Sequence, residues 1–203
     1  MDDVAPEGPP QEPAPRKPRK IFLLVGVVLA VALGVGLFTS EGTSKGSSSA
    51  PQVGRAVPAF TAANLNGSGQ VHEPTTQGGR GTPSVLLFFG NWCPSCHAEL
   101  PPLAATVRQQ DQAGGALSTI HFIGVDSEDA QGTAKSFIKS SGVTFPVAYD
   151  PNTDILAGDF YFKGDPNAVF VNANGTINRI VYGDQLTPSS LTADEKALIP
   201  SGK

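Results

Sequence analysis

Cys93 and Cys96 are the only cysteines among 203 residues. They fall within Phe88-Phe89-Gly90-Asn91-Trp92-Cys93-Pro94-Ser95-Cys96-His97-Ala98-Glu99-Leu100-Pro101. Two sulfurs cannot build a disulfide framework, but two set three residues apart can close on each other. The apolar run before them reads as a buried strand, and a helix is expected to start near Pro94. Cys93 then lies where unpaired backbone N–H groups and the helix dipole favour an anion. That placement lowers a thiol pKa below its free value of about 8.5. Cys93 is thus expected to be the attacking thiolate. Cys96, one turn later and facing inward, is expected to be the resolving thiol.

Other chemistries compete for the same residues. Cys93-Pro94-Ser95-Cys96-His97 also reads as C-x-x-C-H, the attachment pattern of c-type haem. With Met1 the only methionine, a distal haem ligand would have to come from His72 or His121. Zinc would need a fourth ligand beyond Cys93, Cys96 and His97, and paired ligand motifs are missing. A peroxidatic cysteine would expect Thr or Ser where Gly90 stands. No metal or cofactor is therefore expected. Glu99 shares a helical face with Cys96, so it could shuttle the resolving proton or simply be an exposed residue favoured by the dipole. Trp92 could pack or shield the disulfide, and His97 reads as a surface residue or a minor modulator of the thiols. Asp126, Glu128 and Asp129 read as a solvated loop with helix N-terminal charges.

The elements that must hold this segment have a readable order. Residues 56–60 and 70–72 suggest short strands around Asn66-Gly67. The run SVLLFF, 84–89, is continuously apolar, as a fully buried central strand requires. Helices are expected at 94–110 and 131–140, strands at 117–125 and 143–149, and a short helical stretch at 153–160. Residues 168–171 and 176–182 flank Asn174-Gly175, a strong hairpin signal, and a last helix is expected over 188–199. The alternation of strands and helices predicts an α/β fold.

The N-terminal quarter reads differently. Residues 1–20 hold six prolines, four acids and four bases, and read as a disordered tail. Residues 21–38, IFLLVGVVLAVALGVGLF, carry no charge, and as a helix would span about 27 Å against a hydrocarbon core of roughly 30 Å. Arg16, Lys17, Arg19 and Lys20 before this run place the tail in the cytoplasm by the positive-inside rule. A cleaved signal peptide would need a small-residue site that the following residues do not offer. Residues 39–54 read as a flexible Ser/Gly linker and 55–203 as an extracytoplasmic domain. The formal charge of −4 is the wrong sign for a nucleic-acid partner.

The segment from Phe88 to Pro101 resembles the active site of the thioredoxin superfamily, within it the TlpA/ResA-like membrane-anchored thiol-disulfide oxidoreductases. The pattern W-C-x-x-C-x-x-E-x-P is present from Trp92 to Pro101. Gly164-Asp165-Pro166-Asn167 resembles the segment that holds the family's cis-proline. The resemblance implies a thioredoxin-like fold, a central mixed β-sheet flanked by helices, behind a single transmembrane helix. It implies catalysis by Cys93 and Cys96 with Glu99 as proton shuttle, and substrate contacts at Trp92, Asp165 and Pro166. Asp165 departs from the pattern, standing where an apolar residue or Thr is usual. A carboxylate there would oppose the Cys93 thiolate and make the site less oxidising. The partners implied are proteins with thiols or disulfides, for example apocytochrome c, and a membrane redox partner that resets the site. An oxidant of exported proteins and a non-catalytic binding module are the other readings.

Overall fold

The structure, a computed structural model, describes residues 50–74, 81–183 and 185–199. All of these belong to the compact unit Gly46–Lys203. Among the described residues no helix is long and apolar enough to cross a membrane. The tail, the apolar run 21–38 and most of the linker lie outside them.

The run SVLLFF, 84–89, does form the centre of the sheet. Strand β3 (Ser84–Phe89) is buried at all six positions, and burying each of its Val, Leu or Phe side chains contributes about 1.5–3 kcal/mol. It pairs in parallel with β4 (His121–Ser127) and antiparallel with β6 (Asn167–Val171). Outside these lie β5 (Val147–Asp150), parallel to β4, and β7 (Ile177–Tyr182), antiparallel to β6. The five-stranded order is β5-β4-β3-β6-β7, a mixed sheet as expected. A separate ribbon pairs β1 (Phe60–Ala63) with β2 (Gln70–Glu73).

Alternation along β3 divides the core. Val85, Leu87 and Phe89 pack in one cluster with Cys93, Cys96 and the apolar residues of three helices. These are α1 (Pro94–Ala113), α2 (Gln131–Ser140) and α3 (Pro188–Lys196). Leu86 and Phe88 join the other cluster with Phe60, Val71, Phe160 and Phe162. Phe160 and Phe162 follow directly on a π-helical turn, Asp154–Asp159. Asp150 holds its start by accepting from the N–H groups of Ile155 at 3.1 Å and Leu156 at 2.8 Å.

Several boundaries differ from the sequence reading. Residues 56–59 are not a strand: Ala56 makes an isolated bridge to Thr176, and pairing begins at Phe60. Leu117–Thr119 is a 3₁₀ turn ahead of β4, and β5 starts at Val147, not Val143. Val57, Ile120 and Val143 are buried there, but each N–H donates to a turn or helix carbonyl rather than to a strand in register. Helix α1 runs past Gln110 to Ala113 although Pro101 and Pro102 withhold their donors from it. Far from the cysteines, Glu195 of α3 is fully buried and accepts from the Gln110 amide at 2.7 Å. Burial pushes its carboxyl up to about 7 despite that bond.

Candidate active site

Strand β3 delivers the chain to the start of α1 through Gly90-Asn91-Trp92. Cys93 is the N-cap residue, and its sulfur accepts from the Cys96 N–H at 3.1 Å. A donor aimed at that sulfur stabilises a thiolate there. Cys93 and Cys96 form a disulfide, with Cα atoms 5.3 Å apart. Both are buried in this state, 2% and 1% exposed, so position on the helix rather than exposure sets them apart.

The loop ahead of Cys93 is held by the end of β4. The Trp92 indole N–H donates to the Ser127 carbonyl at 2.8 Å, and the Asn91 N–H to Asp129 Oδ2 at 2.6 Å. Trp92 itself remains 42% exposed. His97 is exposed, lies over the Phe137 ring with centroids 4.5 Å apart, and meets the Asn91 carbonyl through Nε2 at 2.7 Å. Since a carbonyl can only accept, Nε2 carries the hydrogen. His97 therefore braces the loop from the helix side.

On the other side of the disulfide, Cys96, Glu99, Pro166 and Asn167 line a cavity of about 20 Å³, room for one water molecule. The Asp165–Pro166 peptide is cis, as the resemblance implied. Asp165 is half-buried, and neither carboxyl oxygen has a hydrogen-bond partner among the described residues. Burial, then the charges of Glu128, Asp150 and Asp129, push it up to about 7. The structure thus gathers Cys96, Glu99 and Pro166 around one space, whereas Trp92 faces Ser127.

The acidic trio needs a correction. Only Glu128 is solvated: Asp126 is fully buried and Asp129 nearly so. The first turn of α2 carries no acid. Alternation could have shown this, because Asp126 sits two residues after Gly124 and four after Phe122 on one face of a strand. The haem alternative meets a geometric obstacle. His72 and His121 line one cavity beside Asp111, and His121 opens β4 while the cysteine loop is held by Ser127 at its end, about 20 Å away by strand rise.

A mixed sheet with a Cys-x-x-Cys disulfide at a helix start and a cis-proline beside it defines a thioredoxin-like redox protein. The chain belongs to the AhpC/TSA family, whose model matches residues 53–180. It is similar to the thiol-disulfide oxidoreductase ResA of Oceanobacillus iheyensis, 27% identical over 173 residues, covering 83% of this chain and 84% of that protein. ResA of Bacillus subtilis is 26% identical over 189 residues, covering 93% and 98%. Among solved structures, a secreted Mycobacterium tuberculosis disulfide oxidoreductase homologous to E. coli DsbE superposes with a TM-score of 0.57 at 25% identity, covering 68% of this chain and 96% of that one. StoA from Bacillus subtilis, at 23% identity and a TM-score of 0.55, shares the fold, with 69% of this chain and 98% of that one covered. The protein is an enzyme, a thiol-disulfide oxidoreductase of the ResA type with a Cys93–Cys96 disulfide.

Proposed function

We propose that this enzyme works as an extracytoplasmic reductant, passing electrons from its Cys93–Cys96 dithiol to disulfides in protein substrates. The observation that carries this is the carboxylates at the disulfide: Glu99 lines the cavity beside Cys96, and Asp165 adjoins Pro166. Negative charge beside a thiol disfavours its thiolate, which destabilises the reduced form's ionised state and makes the couple more reducing. Cys93 attacks, Cys96 resolves, and Glu99 takes the proton to and from Cys96 across the small cavity. Trp92, Asp165 and Pro166 form the edge on which a substrate strand is held. The resemblance to TlpA/ResA-like enzymes supports apocytochrome c thiols as a substrate and a membrane partner that resets the site.

Equilibration with a glutathione buffer tests the direction. A potential near thioredoxin's, about −270 mV, is expected, and one near DsbA's, about −120 mV, would make the enzyme an oxidant instead. Glu99→Gln keeps the size and removes the charge, so Cys96 is expected to ionise more easily and the potential to rise. With about one pKa unit of coupling, the shift in the exchange equilibrium is up to about tenfold. A variant with unchanged thiol titration and potential would leave Glu99 without a role in the exchange.

Residues 21–38 are proposed to anchor the enzyme, with residues 1–20 in the cytoplasm, 39–54 as tether and 55–203 outside. Their length and lack of charge support this, together with the basic residues before them. Mass spectrometry of the protein purified from membranes is expected to find the N-terminal tail still attached. A mature start between residues 39 and 50 would replace the anchor by a cleaved signal.

A further inference from the structure

Strand β4 carries a carboxyl group with no assigned role. Asp126 is fully buried, and neither of its oxygens has a hydrogen-bond partner among the described residues. Leaving such a group unsatisfied destabilises the fold, so its retention calls for an explanation. Its position supplies one. Asp126 pairs with Phe89, the last residue of β3, and alternation places it on the face of Phe122 and Phe89, whose cluster includes Cys93 and Cys96. Its neighbours along β4 and the following loop, Ser127 and Asp129, are the groups that bind Trp92 and Asn91 immediately ahead of Cys93.

We propose that Asp126 is a charge-tuning residue of the exchange, a buried carboxyl that shares one proton with Cys93 and keeps the couple reducing in alkaline conditions. It acts through charge rather than by contact with substrate. The charges that act on it are Asp129, after β4, and Asp165, before Pro166; Glu128 and Asp150, which ends β5, act in turn on Asp165. The cations of α2, Lys135 and Lys139, line a separate cavity with Arg108. With the disulfide closed, burial first, then Asp129 and Asp165, push Asp126 up to about 8.

The proton count follows from the exchange. A substrate thiolate attacks the Cys93 sulfur, the Cys93–Cys96 bond breaks, and Cys96 leaves and takes one proton. The substrate's second thiolate then attacks the mixed disulfide and releases Cys93. Two electrons have passed from the substrate dithiol to the enzyme, and the substrate holds the new S–S bond. Below pH 8 Asp126 is already neutral and leaves Cys93 free to ionise. Above pH 8 it is charged before reduction, and a second anion on the same buried face is disfavoured. The second proton therefore stays within the pair, on Cys93 or on Asp126. Reduction then takes up two protons per two electrons, where an uncharged residue at 126 would leave Cys93 ionised and the uptake at one.

The inference rests on thiol-disulfide exchange at Cys93–Cys96, not on its direction in the cell. The test compares wild type, Asp126→Asn and Asp126→Leu in the same thiol redox buffers from pH 6 to 9.5. The exchange equilibria are expected to coincide at pH 6 and to separate above pH 8. By pH 9.5 the wild type should be more reducing by about tenfold, the effect of one unit in a thiol pKa. Coincidence throughout overturns the inference. So does an equal offset at every pH, which is what a purely structural role gives. If neither variant folds, the wild-type slope decides: uptake that rises from one proton to two per two electrons as pH passes 8 supports Asp126, and uptake that only falls with rising pH, as uncoupled thiols give, overturns it. An oxidising potential shared by wild type and variants at pH 7 would instead count against the reductant reading alone.

Discussion

Cys96→Ala is expected to accumulate mixed disulfides with protein substrates, while Cys93→Ala accumulates none and loses insulin reduction to background. Exposure cannot predict this difference, since both sulfurs are buried in the disulfide. The helix does. Cys93 occupies the N-cap, where its sulfur already accepts from the Cys96 N–H, and the dipole's positive end lies behind it. Cys96 lies within α1 and faces the cavity shared with Glu99, whose carboxylate opposes a second thiolate. The nucleophile must be the sulfur that ionises, because the thiol form does not attack. With Cys96 removed, nothing inside the enzyme resolves the bond that Cys93 makes. Substrate capture followed by non-reducing electrophoresis is the measurement, and capture by Cys93→Ala instead would reverse the two roles.

The second large effect concerns a residue with no side chain. Gly90→Ala is expected to destabilise the domain by about 1–3 kcal/mol through overpacking and to dislodge the loop before Cys93. A methyl group at Gly90 would press on the Trp92 indole nitrogen and lie 2.9 Å from the Ser127 carbonyl oxygen. These two atoms are hydrogen-bonded to each other, so the methyl group would wedge into that bond. The carbonyl belongs to Ser127 of β4, which pairs with Asp150 of β5, and cannot withdraw without disturbing that pairing. Trp92 is the only tryptophan, so its emission reports the displacement directly. A shifted emission spectrum, a lower midpoint in denaturant and slower insulin reduction are the expected results. An unchanged spectrum and midpoint would mean that the loop tolerates the methyl group.

Much of the architecture around the disulfide could be read along the chain, for reasons that are local. SVLLFF is too uniformly apolar to sit anywhere except the middle of a sheet, and Pro94 fits a helix start and no strand interior. Asn174-Gly175 did turn the chain between β6 and β7, with Gly175 at φ +79°. Residues 56, 117 and 143 read as strand starts, yet pairing begins at Phe60, His121 and Val147, because burial and strand pairing are different things. An apolar residue can fill the core from a turn, and only a partner backbone in register makes it part of a strand.

The sequence by itself determined the chemistry. Cys93 and Cys96 at a strand-to-helix junction point to thiol-disulfide exchange through the properties of thiols and helix ends, and Glu99 and Pro166 join them through the family resemblance. What surrounds that pair was decided only by the tertiary structure. Asp126, Asp129 and Glu128 are close neighbours in the chain and look alike as a charge cluster, yet one is entombed, one clamps Asn91 and one is solvated. Asp165 lies 39 residues beyond Asp126 in the sequence, yet its charge acts on Asp126. The physical reason is that a carboxyl's behaviour follows from the water it has lost and the charges it faces, and both are set by how β4 is seated beside β3.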